Sequence, residues 1–178
     1  MKTVLRFLLE KLLIEKIAYA HCDIPCGIYD PHNAQMAAHT IIRMTQLLTE
    51  VKRDNPSTDS ASSPQANSGQ AEIKAEHDIA RITYVKEDHS SLLEEELTTL
   101  ENDYFREEHY KEYPKLQEHF SNANKLGAKA RQNIDMTAAK ELLEEVMQIA
   151  EIFYKTKGVE PVRVKTVYPT GGEIVLHK

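Results

Sequence analysis

The chain has two cysteines in 178 residues, Cys22 and Cys26, and both fall in one short stretch. Two thiols that close together exclude a disulfide framework and the stapled secreted scaffolds built on one. No uninterrupted apolar run is long enough to span a bilayer, so no membrane partner is expected. Positive charge is scarce as well. The 22 Lys and Arg stand against 28 Asp and Glu, a formal net charge of −6, and nucleic acid is excluded as an expected partner. Glu-x-x-His is missing: none of the 8 histidines has a glutamate three residues before it. That removes the di-iron carboxylate bundle from the helical candidates. The length that remains supports one domain with a real core, plus extensions.

The cysteines lie in His21-Cys22-Asp23-Ile24-Pro25-Cys26-Gly27-Ile28-Tyr29-Asp30-Pro31, and the chain is organised around this stretch. A cut between Ala20 and His21 gives His21 a free α-amine. That amine, the backbone nitrogen of Cys22 and the Cys22 thiolate are then consecutive donors that close two small chelate rings. Asp23-Ile24-Pro25 allows a turn, and Cys26 returns a second thiolate. The product is a plane of two nitrogens and two sulfurs, which the His21 imidazole reaches from above. Tetragonal nitrogen-containing sites select Ni(II) or Cu(II), and thiolate is a soft ligand. A deprotonated peptide nitrogen favours square-planar metals over zinc. Two thiolates and an amidate also stabilise a higher oxidation state, as a one-electron redox catalyst requires. Three plainer readings stay open on the residues alone. They are a disulfide or dithiol switch, a zinc site shared with His32 and His39, and inert buried thiols. The matching alternative function is a non-enzymatic helical protein that binds metal or switches through Cys22 and Cys26.

Residues 1–20 read as an amphipathic helix, with Leu5, Leu8, Leu9, Leu12 and Leu13 at helical spacing. Glu10, Lys11, Glu15 and Lys16 break the apolar centre that a secretory signal needs, although Ala18-Tyr19-Ala20 imitates a signal-peptidase site. The location expected from this is cytoplasmic. The segment carries four basic and two acidic side chains, so its loss takes the body from −6 to −8. Attraction of an anionic substrate must then come from basic groups near the site.

Asp30-Pro31 is a helix start. The helix predicted from it runs to about Lys52, with Ala37, Ile41, Met44, Leu48 and Val51 inward and His32 and His39 at a surface or interface. Residues 53–71 are rich in small polar residues and read as a flexible linker. A second helix is predicted to start between Glu72 and Asp78 and to run to about Phe105. It buries Ile79, Ile82, Val85, Leu92, Leu93, Leu97 and Leu100, with Phe105 in the core. Pro114 opens a third, with Leu116, Phe120, Ala123 and Leu126 inward. Asp135 caps a fourth, which runs to about Lys157 and ends at Gly158. Alternation in residues 162–166 and 173–176, around the turn Tyr168-Pro169-Thr170-Gly171-Gly172, reads as a short β-hairpin. An isolated hairpin is marginal, so it must dock. The fold class expected is all-α. It is an antiparallel four-helix bundle over residues 31–157, with an N-terminal metal hook over 21–31 and a short hairpin-like extension over 158–178.

Residues 21–31 resemble the N-terminal nickel hook of the nickel-containing superoxide dismutases. A looser similarity runs from Arg81 to Pro114, notably at Asp103-Tyr104-Phe105 and Tyr113-Pro114. The resemblance implies that residues 1–20 are a leader removed by a dedicated protease. It implies one nickel ion per subunit, Ni(II)/Ni(III), held by His21, Cys22 and Cys26, and disproportionation of superoxide to dioxygen and hydrogen peroxide. It implies a homohexamer in which neighbours cover each hook. Tyr29 is implied as the guard of the open metal face, Asp23 and Tyr104 as neighbours of the metal pocket, and Ile24–Pro25 as a cis bond. Arg106 stands where the family often has lysine. Where well-known members hold the axial imidazole with a glutamate and an arginine, this chain has Ala37 and His89. Another polar group must orient His21 here.

Overall fold

The computed structural model describes residues 26–51 and 68–178. The leader, His21, Cys22, Asp23, the Ile24–Pro25 bond and most of the expected linker lie outside the described residues. Within them the elements are α1 (His32–Glu50), α2 (Ser68–Thr99), α3 (Glu107–Glu112), α4 (Leu116–Gln132), α5 (Met136–Thr156), β1 (Pro161–Lys165) and β2 (Glu173–His177).

Local chemistry sets the helix ends. Asp30 Oδ1 accepts the His32 N–H at 2.7 Å and so opens α1. Asp135 Oδ1 accepts the Ala138 N–H at 2.9 Å and opens α5. Gly158, at φ 75, takes the left-handed conformation that ends α5. Helix α2 reaches back to Ser68, into the stretch expected as linker. Ala71, Glu72, Lys74, Ala75 and Glu76 are good helix formers, and Lys74 pairs with Asp78 one turn on at 2.6 Å. Helix α2 also does not end as a plain helix. Residues Leu100–Tyr104 form one π turn, with Phe105 N–H donating to Leu100 O at 2.9 Å. The short α3 was not foreseen; its start is held by Arg106 N–H donating to His109 Nδ1 at 3.1 Å.

The four long helices form the expected antiparallel bundle. Asn33, early in α1, donates to Glu96, late in α2, at 3.0 Å. Gln117, early in α4, reaches Glu101 at 3.1 Å, while Arg131 at its end reaches Glu87 at 2.6 Å. His119 of α4 meets Glu145 of α5 at 2.6 Å, and α1 packs on α5. The core holds Leu93, Leu97, Leu100, Phe105, Leu116, Phe120, Leu142, Ile149 and Phe153, all buried. Two expected stripes shift. Leu92 is 39% exposed because the α2 seam runs through Leu93, Leu97 and Leu100 instead. In α1 the buried residues are Ala34, Gln35, Ala37, Ala38, His39, Ile41, Ile42 and Thr45, with Met44 and Leu48 half-buried.

The hairpin docks, as its size requires. Its strands pair antiparallel, with Val162 opposite Leu176 and Arg163 opposite Val175. The outer edge of β2 faces α1, where side chains take the part of a third strand. Gln35 Oε1 accepts Val175 N–H at 2.6 Å and Gln35 Nε2 donates to Val175 O at 3.1 Å. His39 Nε2 lies 3.1 Å from Glu173 O and its Nδ1 2.9 Å from Thr170 Oγ1. His39 is therefore buried under the hairpin, at 4% exposure, and not at a surface. Arg163 fixes the other strand to α5, with 2.6–2.8 Å contacts to Glu144 and Glu151.

Candidate metal centre

Cys26 is the one predicted ligand inside the described residues. It is exposed, and its Sγ accepts the Ile28 N–H at 3.4 Å. Gly27, at φ 72, supplies the left-handed step that folds this amide back onto the sulfur. A hydrogen bond to the charged form favours it, so the turn suits a thiolate, the form that binds metal. Among the described residues no group of three or more His, Cys, Asp or Glu side chains is placed to hold a metal ion. The zinc reading with His39 fails on geometry, because both its ring nitrogens are engaged by the hairpin. The Cys26 thiolate is a soft donor of the kind that Ni, Cu or Zn takes, and His21 and Cys22, the other expected ligands, lie outside the described residues.

Beyond Cys26 the chain enters an aromatic wall. The Tyr29 ring lies 5.5 Å from the Tyr104 ring. Tyr104 is packed by Phe153 at 4.6 Å, Phe105 at 5.0 Å and the stacked imidazole of His109 at 5.7 Å. Its hydroxyl is 2.7 Å from Thr156 Oγ1, and Lys157 Nζ sits 4.6 Å from its ring centre. The π turn makes this possible. Phe105 turns into the core against Phe120, 5.7 Å away, while Tyr104 leaves the α2 stripe toward the last turn of α5. Such turns recur at functional sites.

Asp30 forms the second anchor of the hook base. Burial, together with the nearby negative charge of Asp30, pushes the Tyr154 phenol up to about 12. Ala37 and His89 do not stand in for a polar pair on the imidazole. Ala37 is 1% exposed in the core, and His89 Nδ1 donates to Val85 O within its own helix at 2.9 Å.

The structure thus brings Tyr29, three residues beyond Cys26, together with Tyr104, while Asp23 lies outside the described residues. Sequence reasoning missed Tyr154, Thr156 and Lys157. Their positions at the end of an amphipathic helix read only as core or cap, and no local signal shows that this turn faces the hook.

The family model for nickel-containing superoxide dismutase matches residues 16–157. A superoxide dismutase [Ni] of Streptomyces coelicolor is 27% identical over 151 residues, covering 84% of this chain and 98% of that protein. One from Streptomyces seoulensis is 28% identical over 154 residues, with the same coverage. The native crystal structure of a nickel superoxide dismutase superposes with a TM-score of 0.60 at 27% identity, over 77% of this chain and 99% of that one. A structure with nickel ligation corresponding to the oxidised state gives 0.61 at 28% identity, over 78% and 99%. These matches correct the cytoplasmic location expected from the charge-broken leader, since family members are typically secreted or extracellular after leader cleavage. With the hook, its aromatic wall and the bundle all matched, the chain belongs to the nickel-containing superoxide dismutase family.

Proposed function

We propose that this nickel-dependent superoxide dismutase works through a hook that begins at His21, after a protease removes residues 1–20. His21 contributes its amine and imidazole, Cys22 its backbone nitrogen and thiolate, and Cys26 its thiolate. Nickel held by these residues would supply the one-electron redox chemistry that disproportionates superoxide to dioxygen and hydrogen peroxide. The protein positions the anion and restricts access. Thr156 donates its own hydroxyl proton to Phe153 O at 2.7 Å, so the Tyr104 hydroxyl donates to Thr156. Tyr104 is then a wall, and Tyr29 is the residue whose hydroxyl holds water or the incoming anion. Asp23 lies next to two ligands in sequence and shapes their surroundings. Lys157 and Arg106 supply local positive charge. Six chains assemble so that neighbours cover each hook.

The observation that carries this reading is a family match that spans residues 16–157, from before the hook to the end of the last helix. The test is intact mass with metal analysis on active protein. A chain beginning at His21 with one nickel is expected, and Cys22→Ser should lose both metal and activity. Dismutase activity in Cys22→Ser, or in a chain that keeps residues 1–20, would overturn the ligand set.

A further inference from the structure

The family match stops at residue 157, and the hairpin lies just beyond it. The extension is nevertheless tied to the bundle by Gln35, His39 and Arg163, and its register returns the end of β2 to the beginning of β1, with His177 opposite Pro161. That brings His177 back to the last turn of α5, where its ring lies 5.0 Å from the Tyr154 ring. Tyr154 is 4% exposed, and its phenol lies beside Asp30 across the cavity that both residues line. Asp30 in turn holds the His32 N–H at the start of α1. A cavity of about 480 Å3 is lined by Asp30 and His32 on the hook side, Tyr154 on α5, and Leu176 and His177 on the hairpin.

We infer that the C-terminal hairpin is a brace for the metal hook: His177 holds the Tyr154 ring, and Tyr154 holds Asp30 and with it the turn that carries Cys26. The inference rests on the hook reading above. The physical need is plain. Cys26, Gly27 and Ile28 are all exposed, so the hook gains little order from its own packing. A ligand turn fixed before binding loses less conformational freedom when the ion arrives. Tyr154 and His177 are positioning residues in this scheme and touch neither metal nor substrate.

The test uses the nickel-loaded, processed protein and three variants, His177→Ala, Tyr154→Phe and His177→Phe. Two rates are read, nickel release to a chelator and amide hydrogen exchange at residues 27–32. His177→Ala and Tyr154→Phe should each raise both by about five-fold, the change expected when one modest interaction is lost from a local opening equilibrium. Exchange in α2 and the thermal midpoint should stay at wild-type values. His177→Phe keeps a ring against Tyr154 and should restore both rates. Wild-type rates in His177→Ala overturn the brace, and so does a His177→Phe variant as loose as His177→Ala. A wild-type chain processed to His21 that holds no nickel defeats the hook reading instead, and exchange at residues 27–32 measured without metal then decides the brace separately.

Discussion

Lys157 shows what a single side chain contributes at this site. Its Nζ lies over the Tyr104 ring at 4.6 Å and near Phe153 at 5.5 Å. An exposed cation–π contact is worth about 0.5–1 kcal/mol, enough to bias where the ammonium sits without neutralising it. The substrate is an anion and the chain carries −6, or −8 without residues 1–20, so the long-range field is repulsive and a nearby cation matters more. Lys157→Met should keep its nickel but lower the bimolecular dismutation rate by about ten-fold at low salt, with the deficit shrinking as salt rises. Rates across a salt series check this; a deficit independent of salt would mean that Lys157 acts by packing. Tyr104 was legible in the sequence because a short motif carries it. Lys157 was not, since a lysine ending an amphipathic helix usually serves the helix dipole. His39 was misplaced for a related reason. An imidazole on a helix flank is buried or exposed according to what covers it, and here the cover comes from Thr170 and Glu173, far along the chain.

At the scale of elements, capping signals and apolar periodicity made the four long helices readable, with Asp30 and Asp135 starting helices where expected. The π turn and α3 were not readable, because both arise from fitting Tyr104 and Phe105 to different neighbours. Alternation revealed the hairpin but not its attachment. Glu173 O accepts the His39 Nε2 proton, and Nδ1 lies 2.9 Å from the Thr170 hydroxyl, which also donates to Gly171 O at 3.2 Å. Burial lowers the pKa of docked His39 and so favours its neutral form, while the bond to Glu173 O offsets part of that. Once detached, the imidazole returns to about 6.5. Docking thus has its full strength above about pH 6.5 and weakens as the pH falls below it, because acid protonates the detached form first. His39→Gln should flatten the acid side of the stability profile in denaturant titrations. Gln35→Ala should cost about 1–3 kcal/mol at any pH, since it leaves the Val175 N–H and carbonyl without their partner in a buried place. An acid slope unchanged in His39→Gln would assign it to other groups.

For the whole molecule, one chain leaves its own chemistry uncovered. Cys26 is exposed, and Ile28, two residues on, is 79% exposed. A thiolate ligand that meets hydrogen peroxide at every second turnover step is at risk of sulfenic and sulfinic oxidation. Under the proposed assembly a neighbouring copy would cover Ile28 and the thiolate together, and a closed symmetric arrangement would provide that neighbour for every hook at once. In that assembly Ile28→Asp would place a charge where the interface excludes water, at a position whose solvent exposure in the single chain makes the fold indifferent to it. The variant should therefore keep its helical content and thermal midpoint while sedimenting as smaller species than the wild type. In peroxide its cysteines should gain oxygen faster, as read by intact mass. Smaller species without faster oxidation would mean that the pocket within one chain already protects the thiolates. An unchanged sedimentation profile would place the interface elsewhere on the bundle.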